Sequence, residues 1–460
     1  MPRSTYPVDP RTMPSDLDQK SLAQDSSDTN GAVAPRSSLA MPHRYFWSST
    51  VISLFDQAIV SGGNFLTTVL IARAAGLGEL GVYSLGFTVM VLLAAVQESL
   101  IVLPYTVFGV RLTRVSRARS AGSATAHQLA LTMAAVTVLL AFAAWQWLTA
   151  RPLIASPVLV AFTAALPFIL LREFGRRMAF ADLHPSRALA LDVGVVVSQL
   201  TILGSAAALG RLDATVGISS LGVACALGGA FWFCWGSSPL HFDWKTLGQD
   251  LRRNWPVGKW ACLSRITSVA EGYAMHWLLA GFISTSETGA FAACMTIIAL
   301  ANPFLLGIGS VAVPNAAQAY ARGGKRELRQ VLRALDQLVL IPTVVFALVL
   351  MFFGSEFLRV LYDSKFAAYQ STIGVLGLSL VAGVASFGAD NGLRVLGKTR
   401  QNFLAALLGL TASLSCGYFL VQYAGVAGAA WALLVGTTVT SGFRRLQLLR
   451  ALESTAGEIA

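Results

Sequence analysis

About twelve apolar runs of bilayer length divide this 460-residue chain, and its basic residues alternate with them in one sense. The runs cover approximately residues 46–72, 80–108, 124–148, 153–171, 188–210, 214–236, 259–283, 287–320, 334–354, 370–393, 402–423 and 425–443. A helix crosses the roughly 30 Å hydrocarbon layer with about 20 residues, so each run can be a membrane span. Of 34 Lys and Arg, 28 fall in the N-terminal tail, every second gap and the C-terminal end. Arg73, Arg151, Arg211, Arg359 and Lys365 occupy the other gaps, and Arg265 alone lies inside a run. Short basic gaps on one side are the positive-inside signature, which places both termini in the cytoplasm. The runs lack period-two alternation and exceed the length of barrel strands. The fold class expected is therefore an all-α polytopic membrane protein of about twelve transmembrane helices.

Composition agrees. A charged fraction of 12% beside a hydrophobic fraction of 55% does not suit a soluble domain. The net charge of +11 is accounted for by the short basic loops, so no nucleic-acid partner is expected. Five cysteines stand singly with no CxxC spacing, which indicates neither a metal site nor a disulfide framework. Residues 1–43 are rich in Ser, Asp, Pro and Arg, reading as a disordered cytoplasmic tail without a signal peptide. The outward gaps are short, the longest covering about 355–369, leaving no outward domain for an active site. Gly76-x-Gly78-x-x-Gly81 matches a dinucleotide fingerprint in spacing, but it follows a membrane span where that site requires a strand. No HExxH and no nucleophile elbow occurs. The chain is expected not to be an enzyme, and no cofactor is expected beyond Na⁺ or H⁺ as a coupling ion.

The order of landmarks repeats. Between the sixth and seventh runs lies a cytoplasmic stretch, 237–258, with Phe242, Trp244, Leu247, Leu251 and Trp255 among Lys245, Arg252 and Arg253. It reads either as an amphipathic helix on the membrane surface or as a plain linker. It separates an N-lobe, 44–236, from a C-lobe, 259–448, with a second cytoplasmic tail over 449–460. Glu79-x-Gly81-x-Tyr83 opens span two, and Glu287-x-Gly289-x-Phe291 opens span eight, 208 positions later. Those spans end near Pro104-Tyr105 and Pro314-Asn315, each followed by a basic loop. Gly217 in span six and Gly425 in span twelve are again 208 positions apart. Six spans per half make a parallel repeat about the membrane normal, with a site expected between the halves.

Several stretches carry a family resemblance: FDQAIVSGGNFLTTVLIARAAGLGELGVYSLG (55–86), the Pro104-Tyr105 end of span two, RRMAFADLHPSRALALD (176–192) and GVAGAAWALLVG (425–436). There the chain resembles the multidrug/oligosaccharidyl-lipid/polysaccharide (MOP) flippase superfamily, and within it the polysaccharide transporter branch with the Wzx-type O-antigen flippases. The likeness covers about 46–450. It implies two pseudo-symmetric six-helix lobes around a central cavity that opens alternately to each side of the bacterial inner membrane. It also implies a lipid-linked oligosaccharide as substrate, with membrane lipids and glycan-assembly proteins as partners. The cavity expected is wide, polar and net cationic. The peptidoglycan-precursor branch usually has two more C-terminal spans and several cavity arginines. Here the runs end with the twelfth and only Arg265 is clearly intramembrane, which argues against that branch. Two alternatives stand beside the flippase reading: a cation-coupled multidrug exporter of the same superfamily, and a membrane-embedded glycan polymerase or ligase.

Ionisable residues at mid-bilayer cost about 2.5–3.5 kcal/mol each on insertion scales and normally face a cavity or a partner. Here they are Asp56, Glu98, Asp192, Arg265, Glu271, His276 and Asp390. Ser53, Asp56, Gly63, Asn64 and Thr67 share one face of span one, suited to a water-filled cavity. In span seven, Arg265, Ser268, Gly272 and His276 share a face. Arg265 offers a permanently charged, bidentate contact for a diphosphate. Asp56 and Glu271 are the candidates for taking up a proton or Na⁺; the alternative is a structural pair of Arg265 with one of them. Asn64, Thr67, Ser268 and Asn302 are candidate sugar or cavity contacts. Glu98 and Asp192 read as ion pairs with nearby basic loops, His276 as a packing residue, and Asp390 as the partner of Arg394 one turn away.

Overall fold

The computed structural model describes residues 43–109, 114–149, 156–235, 241 and 244–453. Eight helical stretches are long and apolar enough to cross a bilayer. Two of them hold two spans each. Thr285–Leu361 breaks at Gly323 and Gly324, and Thr399–Glu453 breaks at Gly425. Gly324 (φ 60°) and Gly425 (φ 53°) lie in the left-handed region, where a side chain would be strained, so the breaks are written into the sequence. Ala214–Trp235 and Trp244–Phe282 complete the set of twelve. Among the described residues there is no strand. The architecture is a nearly all-helical, multi-pass membrane fold.

Span one is His43–Ala74. Span two runs through Leu77–Gln97, a π-helical turn Glu98–Val102 and Leu103–Gly109. Spans three to six are Arg114–Thr149, Ser156–Ala181, Pro185–Ala208 and Ala214–Trp235. Span seven begins at Trp244, so residues 244–258 are the first turns of a 39-residue helix and not a separate surface helix. The remainder of that stretch, 236–240 with 242 and 243, lies outside the described residues, as do most of both tails. Span ten is interrupted at Ala385–Ser386, between Gln370–Val384 and Phe387–Val395.

The 208-residue repeat is visible in packing. The Glu79 carboxylate accepts the N–H of Ala214, the first residue of span six, at 2.8 Å. The equivalent Glu287 lies beside Gly425, the first residue of span twelve, and accepts the Tyr369 hydroxyl at 3.4 Å. Glu79 thus ties the start of its lobe's second helix to the start of its last, while the equivalent Glu287 bonds to Tyr369 ahead of span ten and lies next to the start of span twelve. At the end of span two, the Tyr105 hydroxyl donates to Asp182 Oδ1 at 3.0 Å, where Arg117 also donates at 2.9 Å.

The lobes meet on the face opposite the basic connecting segments. Spans two and eight cross there backbone to backbone. A methyl at Gly81 would sit 1.8 Å from the Thr285 carbonyl oxygen, and one at Gly289 would sit 1.9 Å from that of Leu77. Arg73, at the end of span one, spans the same seam. Its Nε donates to the Leu361 carbonyl at 2.7 Å and its Nη2 to that of Val360, capping the last turn of span nine. A guanidinium at a helix C-terminus satisfies orphan carbonyls and complements the helix dipole. Lower down, Trp277 Nε1 donates to Thr88 Oγ1 at 2.9 Å, joining spans seven and two.

The crossing makes a direct prediction. Gly81→Ala forces backbone apart and should destabilise the protein by about 1–3 kcal/mol, the usual range for overpacking. Gly62→Ala, with nothing within 4 Å of the added carbon, should instead gain up to about 1 kcal/mol from helix propensity. Melting temperatures in detergent separate the two; equal shifts would contradict the close approach.

Candidate functional site

Between the lobes lie two adjoining cavity compartments. One, of 370 Å³, is walled by spans one, two, seven and eight and includes Gln57, Asn64, Tyr83, Tyr273, His276 and Asn302. No Lys, Arg, Asp or Glu is among its described lining residues. The other, of 470 Å³, lies toward the basic face and is walled chiefly by spans one, two, four, five and six, with Arg265 and Leu306 from the C-lobe. Gln57, Asn64 and Phe87 line both, so the two compartments adjoin.

The second compartment is built on charge. Its wall carries Arg172, Arg176, Arg177 and Arg265 with Glu98 and Glu173. Behind that wall, Asp56 and Asp192 are fully buried. Arg176 is held between them: Nη2 donates to Asp56 Oδ2 at 2.7 Å and Nε to Asp192 Oδ2 at 2.6 Å. Arg172 Nη2 donates to the other oxygen of Asp192 at 2.5 Å. Arg177 donates to Glu173 at 2.7 Å and to Glu98 Oε1 at 2.9 Å. Arg265 approaches Glu98 Oε2 at 3.8 Å, the ionic link from the C-lobe, while 55% of its side chain stays exposed. The wall therefore carries four guanidinia matched by four carboxylates, two on the wall and two buried behind it; Arg265 is the most exposed of the four, while Arg172 and Arg176 keep only 14% of their side chains exposed. The Nε of Arg172 has no acceptor among the described residues. The Arg176 guanidinium lies 5.3 Å from the Phe180 ring centroid, within cation–π range.

Local sequence explains this placement. Span four continues as helix to Ala181, past the apolar run. Phe174 and Met178, four residues apart, stay buried, and Arg172 and Arg176, also four apart, turn to the carboxylates. Unpaired burial of such charges would cost several kcal/mol each, so the helix can remain in the wall only because every guanidinium meets an acid.

The residues singled out from sequence are placed as follows. Asn64 and Asn302 line the uncharged compartment from opposite lobes. Thr67 is buried and does not line either compartment, whereas Thr68 does. Ser268 donates to the Ser264 carbonyl at 3.1 Å and lines neither. Asp56 pairs with Arg176, not with Arg265. Glu271 sits inside the C-lobe, where Thr440 Oγ1 donates to it at 2.6 Å. Its niche depends on Gly409, since an added methyl there would come within 2.5 Å of the carboxylate. Asp390 pairs with Arg394 at 2.8 Å, and His276 packs edge-on against Phe291 at 5.0 Å while lining the uncharged compartment.

Sequence reasoning missed Arg172, Glu173, Arg176 and Arg177, counting the arginines as loop residues; Arg265 is accordingly not alone in facing the cavity. The signal available was the helical spacing of 170-LLREFGRRMAF-180, with an acid between the arginines and apolar residues continuing at i, i+4. Removing one acid should expose the dependence. Asp192→Asn leaves Arg172 and Arg176 under-compensated and should cost about 3–5 kcal/mol, the range for breaking a buried pair. The double variant Asp56→Leu/Arg176→Met should be less damaging than Asp56→Leu alone, as read by melting temperature in detergent.

Comparison with known proteins bears on the fold. No family model and no curated protein sequence matches the chain. Solved structures do. An inward-facing multidrug resistance MATE family transporter of the MOP superfamily superposes with a TM-score of 0.66 at 16% identity, over 89% of this chain and 96% of that one. The lipid II flippase MurJ, in an inward closed conformation, gives 0.67 at 11% identity, over 89% and 88%. A MOP superfamily transporter from Pyrococcus furiosus, described as having a binding pocket of reverse polarity, gives 0.63 at 12%, over 89% and 96%. The chain has the two-lobe, twelve-helix fold of the MOP superfamily transporters.

Proposed function

We propose that this protein is a flippase that carries an undecaprenyl-diphosphate-linked oligosaccharide across the bacterial inner membrane by alternating access, with both termini in the cytoplasm. The observation that supports this most is the division of the cavity. Four arginines line one compartment, and amides, hydroxyls and aromatic rings line the next. A diphosphate lipid joined to a sugar has the same two chemistries in the same order. Guanidinium groups bind phosphate oxygens bidentately and keep their charge at any working pH. Arg265 is the most available of the four, being over half exposed and only loosely paired. The tail would remain in the bilayer while the head group passes between the lobes.

Of the two candidates for ion coupling, Glu271 keeps that role in this reading. Its carboxylate accepts the Thr440 hydroxyl and feels the charge of Arg444, without a guanidinium in direct contact among the described residues. Asp56 is neutralised by Arg176 and serves as a structural anchor.

The multidrug exporter reading draws on one observation, the uncharged compartment with Tyr83, Phe87 and Tyr273, which suits amphiphilic aromatic compounds. Against it stands the exposed and loosely paired Arg265 on the path of any cationic drug. The peptidoglycan-precursor reading shares the diphosphate, and the arginine count no longer separates it.

Proteoliposomes loaded with a fluorescent polyprenyl-diphosphate oligosaccharide test the proposal. The wild-type protein should accelerate transbilayer movement, and Arg265→Ala should slow it at least about tenfold, a loss of about 1.4 kcal/mol in transition-state stabilisation. Unchanged movement in the variant removes Arg265 from phosphate binding. Ethidium transport without lipid movement would establish the exporter instead. Glu271→Gln should leave the protein folded and abolish any dependence of movement on Na⁺ or pH gradients; a retained dependence takes Glu271 out of coupling.

A further inference from the structure

We infer that the uncharged compartment is a saccharide subsite that admits a neutral sugar ring next to the diphosphate and rejects a carboxylated one. This inference rests on the flippase reading and deepens it.

The argument begins with what the wall lacks. Its 370 Å³ is large enough for a small ligand, and its described lining residues include no Lys, Arg, Asp or Glu. A carboxylate moved there from water would meet no cation, at a desolvation cost of several kcal/mol. A sugar hydroxyl meets a different environment. Asn64 and Gln57 on span one and Asn302 on span eight bring amides from both lobes. Each amide offers two donor hydrogens and an acceptor oxygen, a set that matches vicinal hydroxyls or an N-acetyl group. Phe87 and Tyr273, both only partly buried, come from spans two and seven, so aromatic side chains line the space from both lobes as well. The electron-rich faces of such rings pack against the C–H faces of a pyranose.

Adjacency sets the order along the ligand. Gln57, Asn64 and Phe87 belong to both compartments, so a diphosphate held at the exposed Arg265 has its first sugar beside the uncharged space. The arginines are common to every diphosphate-lipid substrate, whereas this compartment reads the glycan. A glycan bearing a uronate or an acidic peptide on that first residue would put a carboxylate where no counter-charge waits.

Binding measured on the full-length protein in nanodiscs tests this with three probes: farnesyl diphosphate, and the same lipid diphosphate bearing N-acetylglucosamine or glucuronic acid. The neutral glycoside should bind at least tenfold more tightly than the uronic one. Asn302→Lys, which adds a cation to the wall, should raise affinity for the uronic probe at least threefold. Tyr273→Ala should weaken the neutral glycoside at least fivefold and leave farnesyl diphosphate unchanged. Equal binding of the two glycosides, or equal losses for all three probes in Tyr273→Ala, overturns the subsite while leaving the flippase reading intact. If farnesyl diphosphate itself fails to bind, or binds equally to Arg265→Ala, the flippase reading falls and the subsite with it.

Discussion

Arg176, gripped by Asp56 and Asp192, is the interaction on which the site depends. Two carboxylates with no exposure could not sit side by side in a lipid-surrounded lobe without a cation between them. The guanidinium supplies it and in doing so joins spans one, four and five at one point. Arg172 shares Asp192, and Arg177 extends the network through Glu173 to Glu98 on span two. Four helices of the N-lobe are thereby fixed in rotation as well as position. That fixed rotation points Gln57 and Asn64 of span one at the cavity. The π-helical turn beginning at Glu98 lies on the same wall, and such turns recur where a helix must redirect a functional side chain.

The scaffold is symmetric where it is mechanical and asymmetric where it is chemical. Glu79 and Glu287 stand at equivalent helix starts, and Gly81 and Gly289 form the two sides of one crossing. Among the described residues of the C-lobe, Asp390 pairs instead with Arg394 and Arg444, and Asp336 with Arg445. Glu271 stands in that lobe hydrogen-bonded by Thr440. Nearer the basic face, Asp336 accepts the N–H of Gly388 at 2.6 Å at the start of a short helix, a capping role. Duplication accounts for the frame; divergence of the halves accounts for a cavity charged at one end and neutral at the other.

Most of the frame was legible in the sequence because bilayer thickness and the cost of unpaired backbone in lipid leave few choices. The spans, their repeat and the Asp390–Arg394 pair follow from spacing. What stayed hidden was partnership. A hydropathy boundary ended span four at residue 171, since arginines count against a span, yet these arginines are neutralised by acids on three other spans. Asp56 was recognisable as intramembrane, but its partner lies 120 positions away. The choice of Thr67 over Thr68 shows the limit of helical-wheel reasoning, where one residue is about 100° of rotation. Span seven was located, but its extension back to Trp244 fell in the stretch read either as a surface helix or as a linker, because basic residues there interrupt the apolar run.

The cap formed by Arg73 has a consequence of its own. Its acceptors are the main-chain oxygens of Val360 and Leu361, and its donor is a guanidinium. Because the acceptors are main-chain oxygens, the tie does not depend on which side chains stand at positions 360 and 361. Substitution at either of those positions leaves the acceptors in place, whereas replacement of Arg73 removes both hydrogen bonds at once.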